Sequence, residues 1–323
     1  MALLTIKDLK TQFPTYRGLV KAVDGVTFSI NERETLGLVG ESGCGKSVTA
    51  LSILRLVDYP GQIVGGEIWF KDRDILKLNE AEMRRIRGKE IAIVFQDPFT
   101  YLNPTYTIGN QIAEVISRDQ ELGSFTNNHV KDGALVDALK LVRIPDPDKA
   151  IKRYPHELSG GMRQRVMIAM ALSSKPNLLI ADEPTTALDV TIGAQILDLM
   201  DELKNETGSS LLFVTHNLGI VARVCDRIAV MYLGRIVECA QTEAIFDNPL
   251  HPYTSGLLSC VPRFDPKIKQ LHVIPGTMPS PVNPPSGCTF RTRCQYATDM
   301  CKDQPPMFEP ERGHFVGCYR SAG

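Results

Sequence analysis

The chain has 323 residues, 43% of them apolar and 23% charged, with a formal net charge of −1. At roughly 100–200 residues per domain this means two domains, or one large α/β domain with an appendage. The balanced charge advertises no nucleic-acid or acidic-lipid surface. The longest apolar run, Val166–Leu172, has seven residues, against about 20 needed to span a bilayer. The N-terminal MALLTIKDLKTQF lacks the basic start, apolar stretch and cleavage site of a signal peptide. A cytosolic chain, neither membrane-integral nor secreted, is expected.

In chain order, short apolar runs alternate with helical patterns up to about residue 248. Residues 35–39, 91–96, 178–182 and 211–215 predict buried strands, and helices are expected after Ser47, Gly160 and Val190. That alternation argues for a largely parallel sheet. Residues 20–30 and 66–76 alternate with period two and predict an antiparallel side sheet. Between Pro98 and Tyr154 the strand signal disappears. Helical patterns at 108–117 and 130–142 predict an inserted helical subdomain there. Of 21 prolines, 12 lie between Pro249 and Pro310, so the regular pattern stops where they begin.

Gly40-Glu41-Ser42-Gly43-Cys44-Gly45-Lys46-Ser47 matches G-x-x-x-x-G-K-[ST] between a predicted strand and helix. Glycines there let successive backbone N–H groups turn around phosphate oxygens, at the positive end of the following helix. Lys46 can reach the β- and γ-phosphates, and the Ser47 hydroxyl can ligate Mg²⁺. Cys44 reads as a tolerated loop residue, because no base is evident beside it. Leu178-Leu179-Ile180-Ala181 runs into two adjacent carboxylates, Asp182 and Glu183, before Pro184. Strand alternation denies them the same role. Asp182 suits the Mg²⁺ shell, and Glu183, at the strand mouth, suits polarising the attacking water. Leu158-Ser159-Gly160-Gly161-Met162-Arg163-Gln164-Arg165 opens another helix, with Ser159 as its N-cap. Its free N–H groups offer a second anion site, expected to meet ATP held by another chain.

With these motifs in this order, the sequence resembles the nucleotide-binding subunit of an ATP-binding cassette (ABC) transporter over about residues 4–245. The Walker A loop is 40–47, the Q-loop glutamine is Gln96, the signature is 158–165 and the Walker B strand is 178–183. The D-loop is Ala187-Leu188-Asp189, and the switch histidine is His216. The resemblance implies an α/β P-loop NTPase core over 1–248, with an antiparallel β subdomain and a helical subdomain at about 98–160. It implies a head-to-tail dimer, with a paralogue or with itself, holding two ATP molecules. Gly40, Ser42, Gly43, Cys44, Gly45, Lys46, Ser47 and Val48 would cradle one nucleotide, while Ser159, Gly160 and Gly161 would close on the partner's. Ser47, Gln96 and Asp182 would serve Mg²⁺, Glu183 would be the general base, His216 would hold the γ-phosphate, and Asp189 would reach across the interface. Tyr16 is expected to stack on adenine, with Phe13 as competitor and an ordinary packed tyrosine as the bland reading. His129 is expected to be solvated and His156 to be a surface residue.

His251-Pro252-Tyr253-Thr254 and the proline-rich tail that follows resemble the C-terminal extension of dipeptide, oligopeptide and nickel permease ATPases. An importer of short peptides is implied, with nickel complexes as the alternative cargo. It would work on the cytoplasmic membrane face with two permease subunits and, indirectly, an external binding protein. Residues 249–323 carry Cys288, Cys294, Cys301 and Cys318, at spacings of five, six and sixteen residues. No pair forms a C-x2–4-C knuckle, so a [4Fe–4S] cluster is preferred to Zn²⁺, with four free thiols as the alternative. The DNA-repair and translation ABC ATPases are a competing class. Their coiled coils, tandem cassettes or basic surfaces have no counterpart here, and no nucleic acid is expected. A non-hydrolysing regulatory partner is disfavoured by Glu183 and His216.

Overall fold

A computed structural model of the chain describes residues 2–120, 132–186, 188–260 and 273–321. His129, Val130 and Ala187 lie outside the described residues. The chain forms two compact units, Met1–Leu78 with Phe213–Gly323, and Asn79–Leu212.

In the first unit an antiparallel sheet runs in the order Gly18–Asn31, Ala2–Thr15, Gln62–Phe70, Arg73–Asp74. It contains both segments expected to form the side sheet. Its central strand, Ala2–Thr15, is additional, and its alternation is interrupted where the pairing register shifts between Ile6 and Leu9. Leu4, Ile6 and Leu9 are fully buried, beside Ile30 and Ile68. A second sheet carries the P-loop strand, Thr35–Val39, all five residues of which are buried. That strand pairs in parallel with Arg227–Tyr232. Arg235–Gln241 follows antiparallel, and the extension then adds His314–Val316 and Phe308–Glu311 at the edge. The sheet is therefore mixed: parallel where Thr35–Val39 meets Arg227–Tyr232, and antiparallel from the tight turn at Tyr232–Arg235 outward to the tail strands.

The second unit pairs Ile91–Val94 in parallel with Leu178–Asp182, aligning Val94 with Ala181. Around this pair lie the helices Ile108–Gln120, Asp132–Leu141, Gly160–Leu172 and Val190–Thr207. The Gly160–Leu172 helix buries Val166, Ile168, Ala169 and Leu172. Arg163 on the same helix is buried too. Its Nε donates to the Pro155 carbonyl at 2.6 Å, and its guanidinium lies 3.9 Å from the Phe99 ring centroid. A planar cation with apolar faces is the side chain that can satisfy both contacts. Strand Ser210–Thr215 carries the chain from the second unit back to the first.

Candidate functional site: a P-loop, an acidic strand end and a cysteine-lined cavity

The P-loop begins where Thr35–Val39 ends and leads into helix Lys46–Ile53. Gly45 adopts φ 110°, and a β-carbon there would stand 2.2 Å from the Ala22 carbonyl oxygen. Only glycine fits that turn. Lys46 is 4% exposed; its ammonium donates to the carbonyls of Gly40 at 2.9 Å and Glu41 at 3.1 Å. The loop thus curls around its own lysine, whose ammonium is held by two of the loop's backbone oxygens. Burial pushes the Cys44 thiol up from its ordinary value, which leaves it protonated and agrees with its reading as a loop residue rather than a nucleophile.

In the second unit, strand Leu178–Asp182 is buried throughout. The next residue, Glu183, has φ 46°, a left-handed conformation unusual for a side chain of this size. Its Oε2 accepts from Gln96 Nε2 at 3.1 Å and from Thr186 Oγ1 at 2.9 Å. Gln96 and Glu183, 87 residues apart in sequence, are therefore hydrogen-bonded. Asp182 is buried and Glu183 only partly so.

Ser159 caps the Gly160–Leu172 helix, its hydroxyl accepting from the Met162 N–H at 3.3 Å. A β-carbon on Gly161 would lie 2.6 Å from Ile192, so the second signature glycine permits close packing of this helix on Val190–Thr207. Ser159 and Asp189 are exposed, and Val190 is 92% exposed. In the first unit Tyr16 is 91% exposed, at the turn between the first two strands, with Arg17 over its ring at 5.3 Å. It is not a packed tyrosine. Phe13 is packed beside Gly61. His216 and His156 are exposed.

The four tail cysteines, Cys288, Cys294, Cys301 and Cys318, line a single cavity of about 230 Å³ together with His251. Burial, with smaller contributions from the three other thiols, pushes Cys288 up to about 11. Burial raises Cys294 and Cys318 as well. Among the described residues no group of three or more His, Cys, Asp or Glu side chains is placed to hold a metal ion. The expectation of a formed metal centre is corrected to that extent. The thiols share one cavity, but they do not converge at the distances that a single ion imposes.

Sequence reasoning missed the group that anchors this tail. Glu238, fully buried, accepts from the N–H groups of Leu250 and His251 at 2.7 and 3.0 Å and pairs with His314 Nε2 at 2.8 Å. His251 caps helix Pro252–Ser259 by accepting the Tyr253 N–H on Nδ1 at 3.0 Å. Burial depresses its pKa to about 3. A lone glutamate in an apolar strand was the available signal, since such a residue needs buried donors.

A strand–P-loop–helix with its lysine, an acidic strand end bonded to a glutamine and a serine-capped signature helix define an ABC-type ATPase. Comparison with known proteins agrees. The ABC transporter family profile matches residues 23–186, and the profile of the oligopeptide/dipeptide transporter C-terminal region matches 237–301. The probable peptide ABC transporter ATP-binding protein y4tR of Sinorhizobium fredii is 50% identical, over 99% of this chain and 95% of its own. The oligopeptide transport ATP-binding protein OppD of Bacillus subtilis is 50% identical over 97% of this chain and 87% of its own. A solved dimeric post-hydrolysis structure of the ATP-binding cassette MJ0796, bound to ADP and Pi, superposes with a TM-score of 0.65. Its identity is 26%, over 74% of this chain and 98% of that one. The chain belongs to the ABC transporter ATP-binding family, within the group that carries the oligopeptide/dipeptide transporter C-terminal region. No helix among the described residues is long and apolar enough to cross a membrane.

Proposed function

We infer that this protein is the ATP-hydrolysing subunit of an ABC importer of dipeptides or oligopeptides. The observation that carries the catalytic part is the Gln96–Glu183 hydrogen bond at the end of the acidic strand. It supports Glu183 as the base that takes a proton from the attacking water, with Gln96 as the residue that senses occupancy and relays it. Lys46 exchanges its two carbonyl partners for phosphate oxygens, and the loop from Gly40 through Val48 supplies backbone N–H donors. Ser47, Asp182 and Gln96 serve the magnesium ion, His216 the γ-phosphate, and Tyr16 offers its free ring face to adenine. The exposed Ser159 and Asp189, with Gly160 and Gly161, are the surface on which a second cassette closes, whether an identical chain or a paralogue. ATP draws the pair together and hydrolysis releases it. Two membrane permease subunits convert that cycle into transport at the cytoplasmic membrane face, with an external peptide-binding protein delivering cargo. The peptide assignment is supported by the relatives, whose names specify peptide, dipeptide and oligopeptide transport.

The four cysteines have the donor chemistry of a metal centre. Their spacing along the chain, with no C-x2–4-C knuckle, favours a [4Fe–4S] cluster over a zinc ion. Such a centre would supply structural cross-linking or a redox signal, and no step of ATP hydrolysis passes through it.

Co-expression with its permease subunits, followed by affinity purification and phosphate-release assays, tests the transport reading. A stable complex whose ATPase rises with peptide-loaded binding protein is expected; absence of MgATP binding and of phosphate release overturns it. Anaerobic purification with iron and zinc analysis tests the tail: bound iron with visible absorbance supports the cluster, while a colourless zinc-loaded protein refutes it.

A further inference from the structure

Glu41, the second residue of the P-loop, is held at three points. Its carbonyl accepts from the Lys46 ammonium at 3.1 Å. Its N–H donates to the Tyr253 hydroxyl at 2.8 Å. Its carboxylate accepts from both terminal nitrogens of Arg293, at 2.7 and 3.0 Å. The last two partners belong to the C-terminal extension, more than 200 residues along the chain.

These partners are not loose surface groups. The Arg293 side chain is 5% exposed, and its Nε is occupied by the Pro275 carbonyl at 2.9 Å. Tyr253 is fully buried, packing against Tyr232 and Phe290 with ring centroids 4.6 and 5.3 Å away. Phe290 and Arg293 both lie in the short segment between Cys288 and Cys294, two of the cavity's thiols. One of the two residues whose carbonyls hold Lys46 is thus gripped by Arg293, from the stretch of chain that forms one wall of the cysteine-lined cavity. A forked guanidinium on a carboxylate fixes direction as well as distance. The tyrosine bond uses a backbone donor, so it constrains the course of the main chain where the loop begins.

We propose that Arg293 and Tyr253 are positioning residues for nucleotide binding, and that they tie the order of the P-loop to the integrity of the cysteine-lined cavity. The inference rests on the loop's being the ATP site proposed above. A loop whose main chain is anchored where it begins spends less of the interaction with phosphate on ordering itself. Loss of the clamp therefore weakens ground state and transition state alike, raising KM for ATP while leaving kcat in place.

The test uses the full chain, with MgATP affinity measured by titration and turnover by phosphate release. Arg293→Ala is expected to raise Kd and KM for ATP about tenfold, the scale of a hydrogen bond to a charged group. Arg293→Lys, which keeps the charge but not the fork, is expected to fall between Arg293→Ala and wild type. Tyr253→Phe retains the packed ring, so its expected loss of about threefold reports the hydroxyl alone. In a Glu41→Ala background neither Arg293→Ala nor Cys294→Ser is expected to weaken ATP binding further, whereas each does so in the wild type. Unchanged ATP affinity in folded Arg293→Ala and Tyr253→Phe, or the same loss with and without Glu41, overturns the proposal. Wild-type protein that binds no MgATP overturns the ATP-site reading with it. Normal wild-type binding with insensitive variants removes the clamp alone.

Discussion

Replacing Glu183 with glutamine exchanges one carboxylate oxygen for an amide group. It keeps the side-chain length and the left-handed backbone at φ 46°. The two donors on Oε2, from Gln96 at 3.1 Å and Thr186 at 2.9 Å, still find an oxygen to bond. Each bond weakens from charged to neutral strength, about 1 kcal/mol in a buried setting and less at this partly open position. Folding stability should therefore change by no more than about 1 kcal/mol. Turnover should change far more. A positioned base is worth about 10²–10⁴-fold, or about 3–5 kcal/mol of barrier, and an amide cannot take the proton. Glu183→Gln is thus expected to bind MgATP with near-wild-type affinity, to release phosphate at least about a hundredfold more slowly, and to accumulate as an ATP-bound dimer. Phosphate release at saturating MgATP and size-exclusion chromatography with and without ATP measure both effects. A variant that turns over within about threefold of wild type, on the scale where a missing base costs two orders of magnitude, refutes the assignment of Glu183.

Three further outcomes are expected. Tyr16→Ala removes a ring that is 91% exposed, so the melting temperature should hold while KM for ATP rises about threefold to tenfold, as for loss of one stacking contact. Gly45→Ala places a methyl 2.2 Å from the Ala22 carbonyl at φ 110°. It should destabilise by about 2–3 kcal/mol through strain and overpacking and abolish ATP binding, read by denaturant unfolding and nucleotide titration. His251 is held neutral by burial, with its pKa lowered to about 3, so the unfolded chain takes up its proton first as pH falls. Its contribution is complete above about pH 6.5 and is lost progressively below, by about 2 kcal/mol at pH 5. His251→Asn, which retains an N-cap acceptor, should reduce the difference in urea stability between pH 7 and pH 5 by that amount.

How much was legible varied with the range of the interaction. The P-loop, the acidic strand end and the signature helix are each set by a few adjacent residues, so their elements could be placed within two or three positions. Strand 178–182 coincides with its expected bounds, and the helix from Gly160 begins where Ser159 was expected to cap it. The Ala2–Thr15 strand escaped notice because its register shifts break the alternation that a strand is recognised by. Glu238, His314 and Arg293 escaped for a different reason. Nothing near them in sequence supplies their partners, which lie 12 to 252 residues away.

The sequence alone determined the chemistry, because phosphate cradling demands particular side-chain types at fixed short spacings, and those survive in one dimension. It also determined that four thiols crowd one short tail. Only the folded chain decided which of these groups meet. Gln96 bonds Glu183 through the parallel pairing of two strands. The cysteine segment reaches Glu41 because a buried tyrosine and a forked arginine point back at the loop. Such contacts depend on the paths of distant backbones, and a string of residue types does not encode them until packing brings those paths together.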